Sequence, residues 1–189
     1  MLETGLELEH ARLVEPILGW RTWGLAGSRS GKDLMLLPVV GRGRPWRPRA
    51  PARAACPRRR AHGAIPGLDC RCGLHATHEI DLLRRTRDPA VLGRVALWGR
   101  VIEHERGYRA QFAYPQRLRL VCHLCLWRWG AVPPSPCEVV IRHRGGGMVP
   151  LCGPHAELSE RYGCRIRRPL DAAAVEDALL SSYAVDLLP

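Results

Sequence analysis

Two pairs of metal-binding side chains constrain this chain more than any other feature. The first pair is Cys122 and Cys125, with two residues between them, and the second is Cys152 and His155, with the same spacing. The pairs are separated by 26 residues. Each pair can bind one side of a tetrahedral Zn²⁺, so together they complete its shell. Four protein ligands leave no open position for water or substrate, which is typical of structural zinc.

The residues around these ligands predict short elements in a defined order. Residues 138–142 are rich in β-branched side chains, 144–147 form a turn, and 148–151 return, which predicts a β-hairpin. A helical pattern follows His155 over residues 156–163. A Cys pair, a hairpin and then two ligands at a helix start resemble a treble-clef zinc finger, here spanning residues 120–164. Free or redox-active thiols are the alternative interpretation.

A second Cys- and His-rich segment lies in a stretch of 17 residues that is otherwise poor in packing side chains. Its candidate metal ligands are Cys56, His62, Cys70 and Cys72. A metal ion can fold such a coil where a hydrophobic core cannot. His75 and His78 lie close by and compete as ligands, and a disulfide is another alternative. We therefore predict one or two structural zinc ions as the cofactors.

The charge of the chain favours a phosphate-rich partner. Its 189 residues, enough for one domain or two small ones, carry 29 basic and 18 acidic side chains, a net charge of +11. No acid occurs between Asp33 and Asp69. Eight arginines in this stretch predict an arm that binds nucleic acid: Arg42, Arg44, Arg47, Arg49, Arg53, Arg58, Arg59 and Arg60. A solvated, proline-rich loop is the alternative.

The sequence shows no targeting or membrane-spanning pattern. The first residues lack the basic and apolar regions of a signal peptide. The longest apolar run, Leu34 to Val40, is far shorter than a membrane span. We therefore expect a cytoplasmic protein with no membrane partner. In that compartment, the eight cysteines are better interpreted as metal ligands than as disulfides.

Alternation and turn residues predict the remaining elements. Trp20–Leu25 and Leu34–Val40 suit two paired strands, and residues 92–105 and 108–114 suit a long central hairpin that Pro115 ends. Gly99 in mid-strand predicts a bulge or a close approach of another backbone segment. Residues 77–87 predict a helix, and residues 170–183 predict an amphipathic helix capped by Asp171.

Polar residues cluster at the end of the central hairpin and suggest an enzyme as an alternative function. His104 would act as a general base and Arg109 would bind an anion, with Glu103 beside them. A solvated turn with cross-strand ion pairs is the simpler interpretation.

Three segments resemble a family of short, Cys- and His-rich proteins from GC-rich bacteria. They are Trp20-Arg21-x-Trp23, the Cys70-x-Cys72-Gly73 group with its upstream ligands, and the hairpin from Val95 to Pro115. The resemblance implies a fold and metal sites rather than a particular activity. It favours Cys56, His62, Cys70 and Cys72 over His75 as the second ligand set.

Together these patterns predict an α+β protein with a mixed or antiparallel β core, a treble-clef-like zinc module and a C-terminal helix. We divide it into an N-terminal arm (1–19), a β-rich domain with the Cys/His coil (20–117), and a zinc-finger module with the C-terminal helix (118–189). The predicted function is a zinc-stabilised, nonenzymatic module that binds nucleic acid through an Arg-rich face. The alternatives are the enzyme described above and a protein–protein adaptor that dimerises through its C-terminal helix.

Overall fold

The computed structural model of the chain describes residues 15–28, 33–39, 43–56, 64–127, 135–143, 146–162 and 168–189. Within these ranges the chain forms ten strands, three α-helices and a short 3₁₀ helix. The strands are β1 (Ile17–Ala26), β2 (Met35–Pro38), β3 (Ala52–Arg53), β4 (Leu74–Thr77), β5 (Val91–His104), β6 (Gly107–Leu120), β7 (Val139–Arg142), β8 (Gly147–Leu151), β9 (Leu170–Asp171) and β10 (Asp186–Leu187). The helices are α1 (His123–Trp127), α2 (Gly153–Arg161), α3 (Ala172–Tyr183) and the 3₁₀ helix Ile80–Leu83.

Four of the strands close into a ring at the centre of the fold. β1 pairs with β5, β5 with β6, β6 with β4, and β4 returns to β1 through the pair Trp20 and Thr77. All four pairings are antiparallel. β8 joins the edge of β1, and β7 and β9 extend the sheet beyond it. The parallel pair between β10 and β6 makes the sheet mixed. The predicted α+β class with a mixed or antiparallel β core is confirmed at this level.

The long hairpin of β5 and β6 organises the ring, and it extends further than the sequence predicted. Pro115 was expected to end the second strand, but β6 continues to Leu120. The pairing shifts register between Arg94 and Val95, next to Pro115. Such a bulge accommodates a residue that has no N–H to donate to the ladder. The bulge predicted at Gly99 is confirmed, because the register shifts there again and Gly99 has φ +73°.

The helix predicted over residues 77–87 is wrong. Thr77 ends β4, where it pairs with Gly107 and Trp20, and only the single 3₁₀ turn Ile80–Leu83 follows. The Thr77 hydroxyl donates to the Glu79 carbonyl at 2.8 Å instead of accepting from a helical N–H. Only Leu83 of that turn is buried. A longer helix would therefore have little apolar surface to pack against the sheet.

Helix α3 covers the core with one side. Ala172, Val175, Leu179 and Tyr183 are buried on it, alongside Trp23 in the main hydrophobic cluster. The predicted cap is confirmed, because Asp171 Oδ2 accepts a hydrogen bond from the N–H of Ala174 at 2.8 Å. The buried side of α3 thus packs within its own chain, which leaves less apolar surface for the dimer proposed in the adaptor alternative.

The sheet is continuous across the boundaries that the sequence predicted between the three parts of the chain. Residues 1–14 of the predicted N-terminal arm lie outside the described ranges, and Ile17 to Gly19 belong to β1. The boundary placed between residues 117 and 118 falls inside β6. None of the helices in the described parts of the chain is both long and apolar enough to cross a membrane.

Candidate metal centres

The first predicted ligand set comes together at one point of the structure. The Sγ atoms of Cys122, Cys125 and Cys152 and the Nδ1 atom of His155 all lie within 4.8 Å of one another. Individual separations are 3.0 Å between Cys152 Sγ and His155 Nδ1, 3.3 Å between Cys122 Sγ and that nitrogen, and 3.5 Å between Cys125 Sγ and Cys152 Sγ. Tetrahedral Zn²⁺ holds sulfur at about 2.3 Å and nitrogen at about 2.0 Å, so its ligand atoms are roughly 3.5–3.8 Å apart. The group has the size and donor atoms to hold such an ion.

Local backbone structure positions both pairs of ligands. Cys122 precedes α1 and Cys125 lies within it, and the N–H of Leu126 donates to the Cys122 carbonyl at 3.0 Å. Cys152 caps the N-terminus of α2 with its backbone, and His155 lies in the first turn of that helix. The predicted hairpin is present as β7 and β8, which pair from Val139 opposite Leu151. The hairpin therefore places Cys152 and His155 next to Cys122 and Cys125.

The electrostatics of this group favour a cation at its centre. Burial, followed by the hydrogen bond and charge of Cys152 and by the charge of Cys122, raises the pKa of Cys125 to about 12. Thiolates this close repel one another and lose hydration, and a bound cation reverses both penalties. The cluster thus suits a thiolate-binding metal better than free thiols.

A fifth sulfur, that of Cys137, packs against this group from outside it. Cys137 contacts the small cluster formed by Cys122, Leu151 and Cys152 and is partly buried. Burial, followed by the charges of Cys122 and Cys152, raises the pKa of its thiol to about 12. Cys137 is not among the four atoms that could share a metal ion. Cys164, the other cysteine outside the predicted sets, lies outside the described residues.

The second predicted set is brought together through its three cysteines. The Sγ atoms of Cys56, Cys70 and Cys72 lie within 4.8 Å of one another, and those of Cys56 and Cys70 are 3.7 Å apart. None of these three is in a disulfide. The pKa of Cys72 is raised, chiefly by burial, and the hydrogen bond that its sulfur accepts from the N–H of Gly67 at 3.4 Å offsets only part of this rise. The fourth predicted ligand, His62, lies outside the described residues. This cluster could also hold a metal ion.

The two competing histidines have other contacts. His75 Nε2 is 3.1 Å from the carbonyl oxygen of Arg71, and its backbone pairs with Arg109 in the sheet. His78 Nε2 is 3.2 Å from Glu103 Oε1. Neither belongs to the group of three cysteines.

Arg109 anchors the coil that carries the second cluster, a role that the sequence analysis missed. Its Nη1 donates hydrogen bonds to the carbonyl oxygens of Gly67 at 3.2 Å and Cys72 at 3.3 Å, and also to that of Cys70. One guanidinium on β6 thus holds three points of the coil, two of them at the metal-binding residues themselves. The only signal in the sequence was an arginine on a strand next to a Cys-rich segment, which does not specify this contact.

The polar site predicted at the hairpin end does not assemble around Arg109. Glu103 and His104 are consecutive in β5, so their side chains point to opposite faces of the sheet. Glu103 is instead next to His78, and its side chain is 67% exposed. Nη1 of Arg109 is bonded to backbone carbonyls of the coil, so this nitrogen is not available for the predicted anion contact. The arrangement favours structural roles over the general-base chemistry proposed for His104.

The predicted arginine arm is only partly described. Arg42, Arg58, Arg59 and Arg60 lie outside the described residues, whereas Arg44, Arg47, Arg49 and Arg53 are exposed. Two of the exposed residues have defined contacts. The Arg49 N–H donates to the Tyr114 hydroxyl at 2.8 Å, and the Arg53 guanidinium lies 5.9 Å from the centre of the Phe112 ring. This segment therefore lies against β6, and the Arg49 guanidinium also donates to the Ser181 carbonyl of α3 at 3.4 Å.

A comparison with protein-family models finds no match to this chain, and comparisons with curated proteins and with solved structures find none either.

Proposed function

We propose that this protein is a nonenzymatic, zinc-stabilised module with two structural zinc sites. The observation that carries the proposal is the convergence of three thiols and one imidazole nitrogen, all within 4.8 Å, from two separate segments of the chain. Cys122 and Cys125 with Cys152 and His155 would hold one ion in a treble-clef-like arrangement. Cys56, Cys70 and Cys72, with His62 as the predicted fourth ligand, would hold the other.

Both ions would stabilise segments that have little core of their own. Helix α2 has no buried residue, so packing alone contributes little to its position. A zinc ion between α1 and the start of α2 would supply that missing free energy, because metal binding to a folded site is itself folding free energy. The same argument applies to the coil around Cys70, which Arg109 of β6 holds through three carbonyl oxygens.

Elemental mass spectrometry of protein purified without added zinc tests this proposal. We expect two zinc ions per chain, one lost in Cys122→Ser and the other lost in Cys56→Ser. Adding a strong chelator should lower the melting temperature of the wild-type protein. Metal-free protein that neither takes up zinc nor melts higher with it would overturn the proposal.

We further propose that the module binds nucleic acid through its arginine-rich side. The net charge of +11 and the exposure of Arg44, Arg47, Arg49 and Arg53 support this step. Arginine contacts to phosphates release counterions, so affinity must fall steeply with salt. Fluorescence anisotropy with labelled oligonucleotides from about 50 to 200 mM salt measures that slope. Absence of binding at the lowest salt would remove this function and leave the zinc proposal unaffected.

A further inference from the structure

Three neighbouring strands place an arginine and two aromatic rings in one row. Arg53 of β3 lies directly opposite Phe112 of β6, which lies directly opposite Trp98 of β5. The two rings are stacked, with centroids 6.1 Å apart and planes inclined by 21°. The Arg53 guanidinium lies over the Phe112 ring, 5.9 Å from its centroid. Arg53 is exposed, and both rings are partly exposed.

Two more rows lie on the same side of the sheet, because side chains alternate along each strand. In the next row, Ala96 is opposite Tyr114 on one neighbouring strand and opposite Leu18 on the other. Leu18 is 42% exposed. Successive rows are roughly 6.7 Å apart, since a strand rises about 3.3–3.4 Å per residue.

The third row again combines arginine with an aromatic ring. Arg94 lies opposite Arg117 of β6 and opposite Trp20 of β1, across the register shift next to Pro115. The Arg94 guanidinium lies 4.7 Å from the centre of the Trp20 ring. Arg117 is exposed and Arg94 is partly exposed. We call these three rows the aromatic–arginine face.

These nine side chains include four aromatic rings and three arginines, and one of the rings, Tyr114, also packs against Tyr183. One acid borders the face, because Asp186 of β10 lies opposite Arg117. Partly exposed rings provide platforms on which bases stack, and arginines provide both phosphate contacts and further stacking. Duplex DNA buries the flat sides of its bases and is usually read by a helix or β-ribbon that enters a groove. A broad sheet surface with rings suits bases whose flat sides are free, as they are in single strands.

We propose that the aromatic–arginine face binds single-stranded nucleic acid, with bases on Trp98 and Phe112 and phosphates on Arg53, Arg94 and Arg117. This inference rests on the proposed nucleic-acid binding and specifies both its surface and its substrate class. It assigns the contacts with bases and phosphates to the sheet surface rather than to the arginine arm. Arg53 belongs to both, so the arm and the face form one continuous basic surface.

Anisotropy titrations of the full zinc-loaded chain with labelled oligo-dT, oligo-U and a duplex of equal length test the proposal. Phe112→Leu keeps an apolar side chain but removes the stacking surface. We expect it to weaken single-strand binding about 5- to 100-fold, with an unchanged salt slope. Arg53→Gln should weaken binding and reduce the magnitude of the slope of log K against log salt by about 0.7.

Matched controls come from α2 and the residue that follows it. Tyr162 is an aromatic residue that is 81% exposed, and the side chain of Arg161 is 76% exposed, so Tyr162→Leu and Arg161→Gln should change the affinity less than about twofold. To separate a change in binding from a change in the fold, photocrosslinking of the wild-type protein to oligo-4-thiouridine supplies a second measurement. Crosslinks should map to the peptides that contain Trp98 and Phe112.

The outcomes separate this inference from the function on which it rests. Binding that survives Phe112→Leu and Arg53→Gln but is lost in Arg44→Gln with Arg47→Gln would overturn the face and retain nucleic-acid binding by the arm. Tighter binding to the duplex than to the single strands would also overturn the face as a base-stacking surface. Competition by poly-glutamate as strong as that by a single-stranded oligonucleotide would do the same. No binding to any oligonucleotide would overturn both.

Discussion

The Tyr183 hydroxyl donates a hydrogen bond to the backbone carbonyl of Trp46, 2.5 Å away and 137 residues earlier in the chain. The same oxygen accepts a hydrogen bond from the N–H of Leu36 at 2.9 Å. Leu36 and Trp46 are themselves joined, because the Trp46 N–H donates to the Leu36 carbonyl at 2.9 Å. All three residues are buried. The last turn of α3 therefore holds β2 and the start of the arginine-rich segment together.

Removing that hydroxyl should destabilise the protein. In Tyr183→Phe, the Leu36 N–H and the Trp46 carbonyl would lose a buried partner, which costs about 1–3 kcal/mol of unfolding free energy. Urea denaturation followed by circular dichroism measures the change. Tyr162→Phe, on a side chain that is 81% exposed, is the control and should stay within about 0.5 kcal/mol of wild type. Equal stability of the two variants would contradict a role for this bond.

The same tyrosine predicts a loss of stability in alkali. Burial raises the pKa of Tyr183 from 10.0 to about 12. Between these values the unfolded chain releases the phenolic proton and the folded chain keeps it, so the unfolding free energy falls as pH rises. The contribution is complete below pH 10 and is lost as pH rises to about 12. Urea midpoints of wild type and Tyr183→Phe should therefore converge between pH 9 and pH 12, whereas a constant difference would argue against this titration.

Arg109 should control metal binding at the second cluster without being a ligand. Arg109→Gln removes the guanidinium that holds the carbonyls of Gly67, Cys70 and Cys72. Loss of such outer contacts typically weakens metal binding about 10- to 100-fold. Chelator competition should show one of the two zinc ions released earlier than in wild type, while the other is unchanged. Arg106→Gln, at the exposed hairpin turn, is the matched control, and equal weakening of both sites would contradict the assignment.

Cys137 should be dispensable for metal content. It packs beside Cys122 and Cys152 but lies outside the group of four ligand atoms. Cys137→Ala should retain the wild-type zinc stoichiometry in elemental mass spectrometry, and Cys122→Ala should lose one ion. A lower zinc content in Cys137→Ala would place its sulfur in the coordination shell and displace one of the four proposed ligands.

Short-range features of the chain were predictable because the residues that form them are close in sequence. Cys122 and Cys125 lie within a single turn of chain, so their sulfurs face the same point in almost any turn or helix. The hairpin of β7 and β8 and the Asp171 cap of α3 were predictable for the same reason, because each joins residues that are close in sequence. The second cluster was predicted through its cysteines for a similar reason, although Cys56 is brought to Cys70 from 14 residues away.

Alternation along a strand shows that its residues divide between two faces, but it does not show which strand lies next to each face. The sequence by itself determined the two groups of cysteines, the long central hairpin and the positive charge. Only the tertiary structure decided that Arg109 supports the Cys70 coil rather than a polar site with Glu103. Strand pairing also decided that Arg53, Phe112 and Trp98 form one row, because the pairing of β3 with β6 depends on long-range register. Register is set by burial over the whole sheet, and no short window of sequence contains that information.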